Sequence, residues 1–170
     1  GFGVKVVPTF RPDKAFAIES ENYIKYLDEL EKASGFTIRT YDDLLTALKR
    51  RHDFFHKMGC RVSDYGVDTV WYKSAFHYEI EDTFRKAISS SEQIAPDEIL
   101  SFKSNLLLEC AAMDHDRGWV RQLHIGPMRN NNTSMFKKLG PDTGFDSIGE
   151  SNYARSLSKH LDKLNSAGKL

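Results

Sequence analysis

The sequence predicts a parallel α/β fold, and two observations predict it. Three short runs read as strands, residues 2–7 (FGVKVV), 60–63 (CRVS) and 119–125 (WVRQLHI), and long stretches of helical periodicity separate them. Antiparallel neighbours can be joined by tight hairpins, whereas parallel ones need crossovers of this length. The whole chain, 1–170, reads as a single segment with about three parallel strands and intervening helices. Such a sheet is incomplete. A closed eight-stranded β/α barrel takes roughly 250 residues, so the chain is either a small open sheet or a slice of a barrel.

The first run is β-branched and stops at Pro8, as a buried strand entering a loop does. From Ser20, the residues Tyr23, Ile24, Leu27 and Leu30 recur at helical spacing until Gly35. A second helix follows Thr40, with Leu44, Leu45, Leu48 and Phe55 as its stripe and Gly59 as its end. The run at 60–63 then leaves through the polar DYG. A helix over 82–88, a polar break, and a longer helix opened by Pro96 come next, the last with Ile99, Phe102, Leu106 and Cys110 on one face. Gly126 and Pro127 close the third strand, and 152–164 carries Leu157, Leu161 and Leu164 as one more amphipathic helix. The glycines of GPDTGFDSIG (140–149) match no phosphate-binding pattern and follow no predicted strand. Phe54, Phe55, Phe102 and Phe136 are read as core.

The 24 basic residues balance 24 acidic ones, so no net field draws nucleic acid or an anionic membrane. Cys60 and Cys110 lack CxxC spacing and are read as reduced thiols of a cytoplasmic protein. No apolar run approaches the roughly 18 residues of a membrane span. The chain opens without Met, inside what reads as a strand, which fits a segment of a larger enzyme.

In parallel α/β proteins ligands gather at the carboxyl ends of the strands. The residues there are Arg11 and Asp13 after the first strand, Asp64 and Tyr65 after the second, and His124, Arg129, Asn130, Asn131 and Asn132 around the third. Guanidinium groups suit a carboxylate, and amides and carboxylates suit hydroxyls, so a polyhydroxylated anion is the ligand these loops fit. Each also has a plain structural role open to it. Arg11 can pair with Asp13, Asp64 can cap a turn, His124 can be a core histidine, and the asparagines can serve a turn. His52, His56, His77, His115 and His160 read as surface residues. His52 and His56 share metal-ligand spacing but lack the Glu of an HExxH helix.

Taken together, VVPTFRPDKAF, GCRVSDYGVD and WVRQLHIGPMRNNN with KKLGPDTGFDSIG resemble the middle of the uronate isomerase family, also called glucuronate isomerase, in collinear order along essentially the whole chain. The block 122–149 is its most specific part. The resemblance implies a partial (β/α)8 TIM-type barrel of the amidohydrolase superfamily. It implies an aldose–ketose isomerisation of hexuronates through an enediol, joining D-glucuronate to D-fructuronate and D-galacturonate to D-tagaturonate. His124 and Asp64 are then the catalytic residues, and Arg11, Tyr65, Arg129 and Asn130–Asn132 bind substrate. At Tyr65 the family commonly has His. The family's HxH pair and final-strand Asp are not in this sequence, so the chain supplies no metal ligand itself, and a divalent metal such as zinc is implied for the full-length enzyme. The expected partner is a small hexuronate, without nucleic acid or membrane, in a homo-oligomer. A metal-dependent hydrolase of the same superfamily and a non-catalytic sugar-acid binding module are the alternatives, and this chain alone is expected to be an incomplete catalyst.

Overall fold

A computed structural model describes residues 3–89, 93–149 and 152–170. A short 3-10 turn, Asp13–Phe16, precedes helix α1, Tyr23–Ser34, which ends where Gly35 takes a left-handed conformation and returns its N–H to Glu31. Helix α2, Tyr41–Lys57, opens on a reciprocal cap in which Thr40 Oγ1 accepts from the Asp43 N–H and the Asp43 carboxylate accepts from the Thr40 N–H. Strand β1, Val62–Val67, leads through helices α3, His77–Ser89, and α4, Pro96–Asp116, to strand β2, Val120–Ile125. Strand β3, Pro127–Met128, helix α5, Thr133–Leu139, strand β4, Ser147–Ile148, and helix α6, Ala154–Ser166, complete the chain.

β1 and β2 pair in parallel, Val62 opposite Val120 and Val67 opposite Ile125. On the other edge of β1, Phe10 makes a parallel bridge to Ser63, donating to Val62 O and accepting from the Asp64 N–H. The predicted parallel arrangement is present, but its first member is displaced. Residues 4–9 form no strand, and Val4 and Val6 have nothing to bury against, whereas Phe10 packs edge-on against His52, Phe55 and Trp119. Phe2 lies outside the described residues.

The second strand runs further than predicted because its polar letters alternate. Ser63, Tyr65 and Val67 are buried towards the helices, while Val62, Asp64 and Gly66 take the opposite face. In β2 the residues Arg121, Leu123 and Ile125 are the half-buried ones, and Val120, Gln122 and His124 are exposed. The main core lies between this sheet and α1 to α4, around Tyr41, Leu44, Phe84, Phe102 and Leu106.

α3 begins five residues earlier than expected, where Glu79 accepts from the Phe76 N–H. β3 and β4 pair antiparallel, so the 140–149 stretch does contain a strand, and α5 between them was not anticipated. Phe54 and Phe136 are exposed, contrary to the core reading, and Phe54 lies beneath the Arg51 guanidinium. His52 and His160 are buried rather than on the surface, because each sits on the apolar stripe of its helix. Cys60 and Cys110 are free and buried.

Candidate active site

Alternation along two strands builds the site. Asp64 and Gly66 of β1 stand beside Gln122 and His124 of β2, in register, on the sheet face opposite the main core. Arg11 follows the bridging Phe10 and reaches this face from the far edge of β1. Its Nη1 lies 3.3 Å from Asp64 Oδ2, and Asp64 Oδ1 lies 2.7 Å from His124 Nδ1. The carboxylate of Asp64 is the most sheltered member, its side chain 14% exposed against 45% for Arg11 and 52% for His124.

The His124 approach falls off the hydrogen-bond line, so among the described residues Asp64 Oδ1 has no hydrogen bond and keeps unused acceptor capacity. On the other side of the ring, Gln122 Nε2 is 2.9 Å from His124 Nε2. With Gln122 oriented this way its amide donates, so His124 Nε2 accepts and the imidazole proton sits on Nδ1, towards Asp64. Arg11 donates from Nε to Asp13 Oδ2 across 2.7 Å. That hydrogen bond is the main reason its pKa is raised; burial opposes it, and the charges of Asp13, Asp64 and Asp142 add to it.

Arg11, Asp64 and His124 are thus brought together. Tyr65 is not. Its side chain is buried on the helix face, where its hydroxyl donates to Asp114 Oδ2 at 3.0 Å, and burial first, then Cys110 and Asp114, pushes the phenol well above its ordinary value. A residue adjacent to Asp64 in a strand must point the other way, so the substrate-binding assignment of Tyr65 is corrected. Asp114 also accepts from Ser63 at 2.6 Å and pairs with His52 at 3.0 Å, tying α2, α4 and β1 together beneath the sheet.

Arg129 and the asparagines are engaged elsewhere. Arg129 pairs with Asp146, which also accepts from the Asn130 N–H at 3.0 Å; these two contacts hold the Asp146 carboxyl below its usual range. Asn130 is left-handed at φ 56°, Asn131 Nδ2 donates to Met128 O at 2.9 Å, and Asn132 caps α5 by accepting from the Met135 N–H. Among the described residues none of these four touches Arg11, Asp64 or His124, and their contacts are those of a turn and a cap. They nevertheless frame the strand ends. A hollow of about 490 Å³ opens there, lined by Asp68, Thr69, Gly126, Pro127, Met128, Gly149 and Asn152.

Asp68 and Gly126 directly follow Val67 and Ile125, so the hollow sits at the carboxyl ends of β1 and β2. Sequence reasoning passed over Asp68 and Gly66. The signal for Gly66 was the same alternation that placed Gln122 and His124 on one face; Asp68, in a bend past the strand end, carried none.

The sequence profile of the glucuronate isomerase family matches residues 1–170. The chain is 47% identical over 171 residues to the uronate isomerase of Phocaeicola vulgatus and 48% identical over 171 residues to that of Bacteroides thetaiotaomicron. Each alignment takes in all of this chain and 36% of the relative, so the chain spans about a third of the length of the curated relatives it matches. The crystal structure of uronate isomerase from Thermotoga maritima superposes with a TM-score of 0.90 at 32% identity, over 99% of this chain and 37% of that one. That of glucuronate isomerase from Caulobacter crescentus gives 0.84 at 27%, over 96% and 34%. The chain belongs to the glucuronate isomerase family.

Proposed function

We propose that this segment carries part of the active site of an enzyme that interconverts hexuronates and their keto forms, D-glucuronate with D-fructuronate and D-galacturonate with D-tagaturonate. The observation that supports it is the meeting of Arg11, Asp64 and His124 on one open sheet face, in a chain the family matches from end to end. Aldose–ketose exchange needs a base that moves a proton between C2 and C1, and donors for the carbonyl oxygen as negative charge builds on it. Asp64 has the unused lone pair for the first task. His124 donates to the carbonyl oxygen through its Nδ1–H, the nitrogen beside Asp64, while Nε2 keeps the Gln122 amide.

Arg11 is already flanked by two carboxylates, Asp13 and Asp64, so a third, from the substrate, would meet a local excess of negative charge. A sugar hydroxyl fits its remaining N–H groups better. Arg129, with one carboxylate partner, is the better anchor for the uronate carboxylate, and Asn130, Asn131 and Asn132 hold the loop that presents it.

The open sheet face is, in this reading, the interior of a partial (β/α)8 barrel whose other strands come from outside these residues. The divalent metal implied for the family does not fit here. Among the described residues no group of three His, Cys, Asp or Glu side chains is placed to hold one, and the Arg11 cation 3.3 Å from Asp64 repels a second cation. No described helix is long and apolar enough to cross a membrane. We place the enzyme in the cytoplasm, as a homo-oligomer acting on free hexuronates.

The test is an assay of a family-length protein carrying this segment with D-glucuronate and D-galacturonate, with and without a chelator. Interconversion to the keto acids is expected. Tight hexuronate binding without turnover would replace the isomerase by a binding module, and hydrolysis of another substrate class would replace it by a hydrolase.

A further inference from the structure

We infer that Asp13 and Gly66 are positioning residues for Arg11, a two-part clamp that sets which nitrogen of the guanidinium meets Asp64. Asp13 does two things at once. Its Oδ2 accepts from Arg11 Nε at 2.7 Å, and both its oxygens lie 3.2 Å from the Gly66 N–H. The carboxylate therefore joins the side chain of Arg11 to the backbone of the strand that carries Asp64. Asp13 is itself anchored, because the 3-10 turn it opens buries Ala15 and Phe16, and the Tyr23 hydroxyl donates to Ala15 O.

Gly66 supplies the other half. A Cβ on this residue would stand 2.6 Å from Arg11 Nη2 and 3.1 Å from Asp13 Oδ2. Gly66 is not among the glycines with positive φ, so no turn or left-handed backbone requires glycine there. What requires it is the guanidinium lying across its Cα. The atom that would be displaced is the end of a flexible side chain, so an added methyl moves Arg11 rather than unfolding the strand.

The geometry has a chemical purpose. With Nε held by Asp13, Arg11 reaches Asp64 through Nη1 alone and on Oδ2 alone. Freed from Asp13, the fork would close on Asp64 with two parallel bonds, the arrangement guanidinium and carboxylate prefer. That would occupy Oδ1, the oxygen that faces His124 and, on the isomerase reading this inference rests on, takes the substrate proton. The clamp keeps Asp64 half-engaged.

The experiment is a double-mutant cycle in a family-length isomerase carrying this segment. Asp13→Asn and Gly66→Ala are each made in the wild-type and in an Arg11→Lys background. Each should lower kcat/KM about tenfold in the first background, mostly through kcat, and less than about twofold in the second, because the fork they position is already gone. The Arg11 Nε–H resonance is followed in the same proteins, slow to exchange in the wild type and fast in both variants. Equal losses in the two backgrounds, or a Gly66→Ala enzyme of unchanged kcat/KM, would overturn the clamp. Should Asp13→Asn fail to fold, the Gly66→Ala arm decides. A wild-type protein with no hexuronate turnover defeats the isomerase reading instead, and the Nε–H signal then still decides whether Asp13 and Gly66 hold Arg11.

Discussion

Tyr65 and Asp114 meet beneath the sheet, the phenol donating to Oδ2 at 3.0 Å, both side chains buried and both on the side away from Arg11 and His124. Tyr65→Phe should therefore cost stability and spare catalysis. A hydrogen bond to a charged acceptor is worth roughly 1.5–3 kcal/mol, and Asp114 retains Ser63 and His52, so the lower end applies. The melting midpoint should fall by roughly 3–6 °C. Steady-state assays should give kcat/KM within about twofold of wild type; a tenfold drop would place the phenol against substrate.

His124→Asn should do the opposite. The side chain is half exposed and its contacts are with Asp64 and Gln122, so melting should change little. Loss of a positioned donor to the reacting oxygen should lower kcat by about a hundredfold or more. A variant with near wild-type kcat would make His124 a bystander at the rim.

Arg11→Lys keeps the positive charge and loses the planar fork. Since Arg11 uses Nε and Nη1 on two different carboxylates, one ammonium cannot replace both contacts. At roughly 1.5–3 kcal/mol for a charged hydrogen bond, kcat/KM should fall at least about tenfold. A change below about fivefold would remove Arg11 from substrate contact.

His160 predicts a pH dependence. It is fully buried on α6 with neither ring nitrogen hydrogen-bonded among the described residues, and burial first, then the Arg121 charge, lowers its pKa from 6.5 to about 4. The unfolded chain therefore binds this proton more readily than the folded one. Stability is unaffected by it above about pH 6.5 and is lost as the pH falls from there towards 4, by up to roughly 3 kcal/mol. Denaturant titrations at pH 7.5 and 4.5 should differ less in His160→Leu than in wild type. An unchanged difference would mean other groups carry the acid sensitivity.

The alternation of Gln122, Leu123, His124 and Ile125 was legible because polar and apolar letters take turns there, and it put His124 on the exposed face, whereas Val120, exposed, and Arg121, half-buried, break the pattern. SDYGV was harder. Ser63 was read as the last residue of the strand and Tyr65 as part of its polar exit, yet both are buried because Asp114, 49 or more positions away in the chain, satisfies their hydroxyls. His52 and His160 misled for the reverse reason: each lies on a leucine stripe, beside Leu48 and Leu164, but a histidine in a polar-looking helix suggests solvent. The β3–β4 pair depends on contacts between Arg129, Asn130 and Asp146 that no periodicity announces. Arg11 meeting Asp64 was foreseeable only in outline, since the strand leading to it forms at Phe10 and not at 2–7.

The opposite fates of Asp64 and Tyr65 bear on how this gene can change. Loss or gain of one codon between Gly59 and Asp64 would slide β1 by one place against β2 and rotate every side chain to the other surface. The carboxylate would be driven among the helices and the phenol swung out beside His124. Length variation should therefore accumulate in the stretches joining the elements, while β1 keeps its length and register.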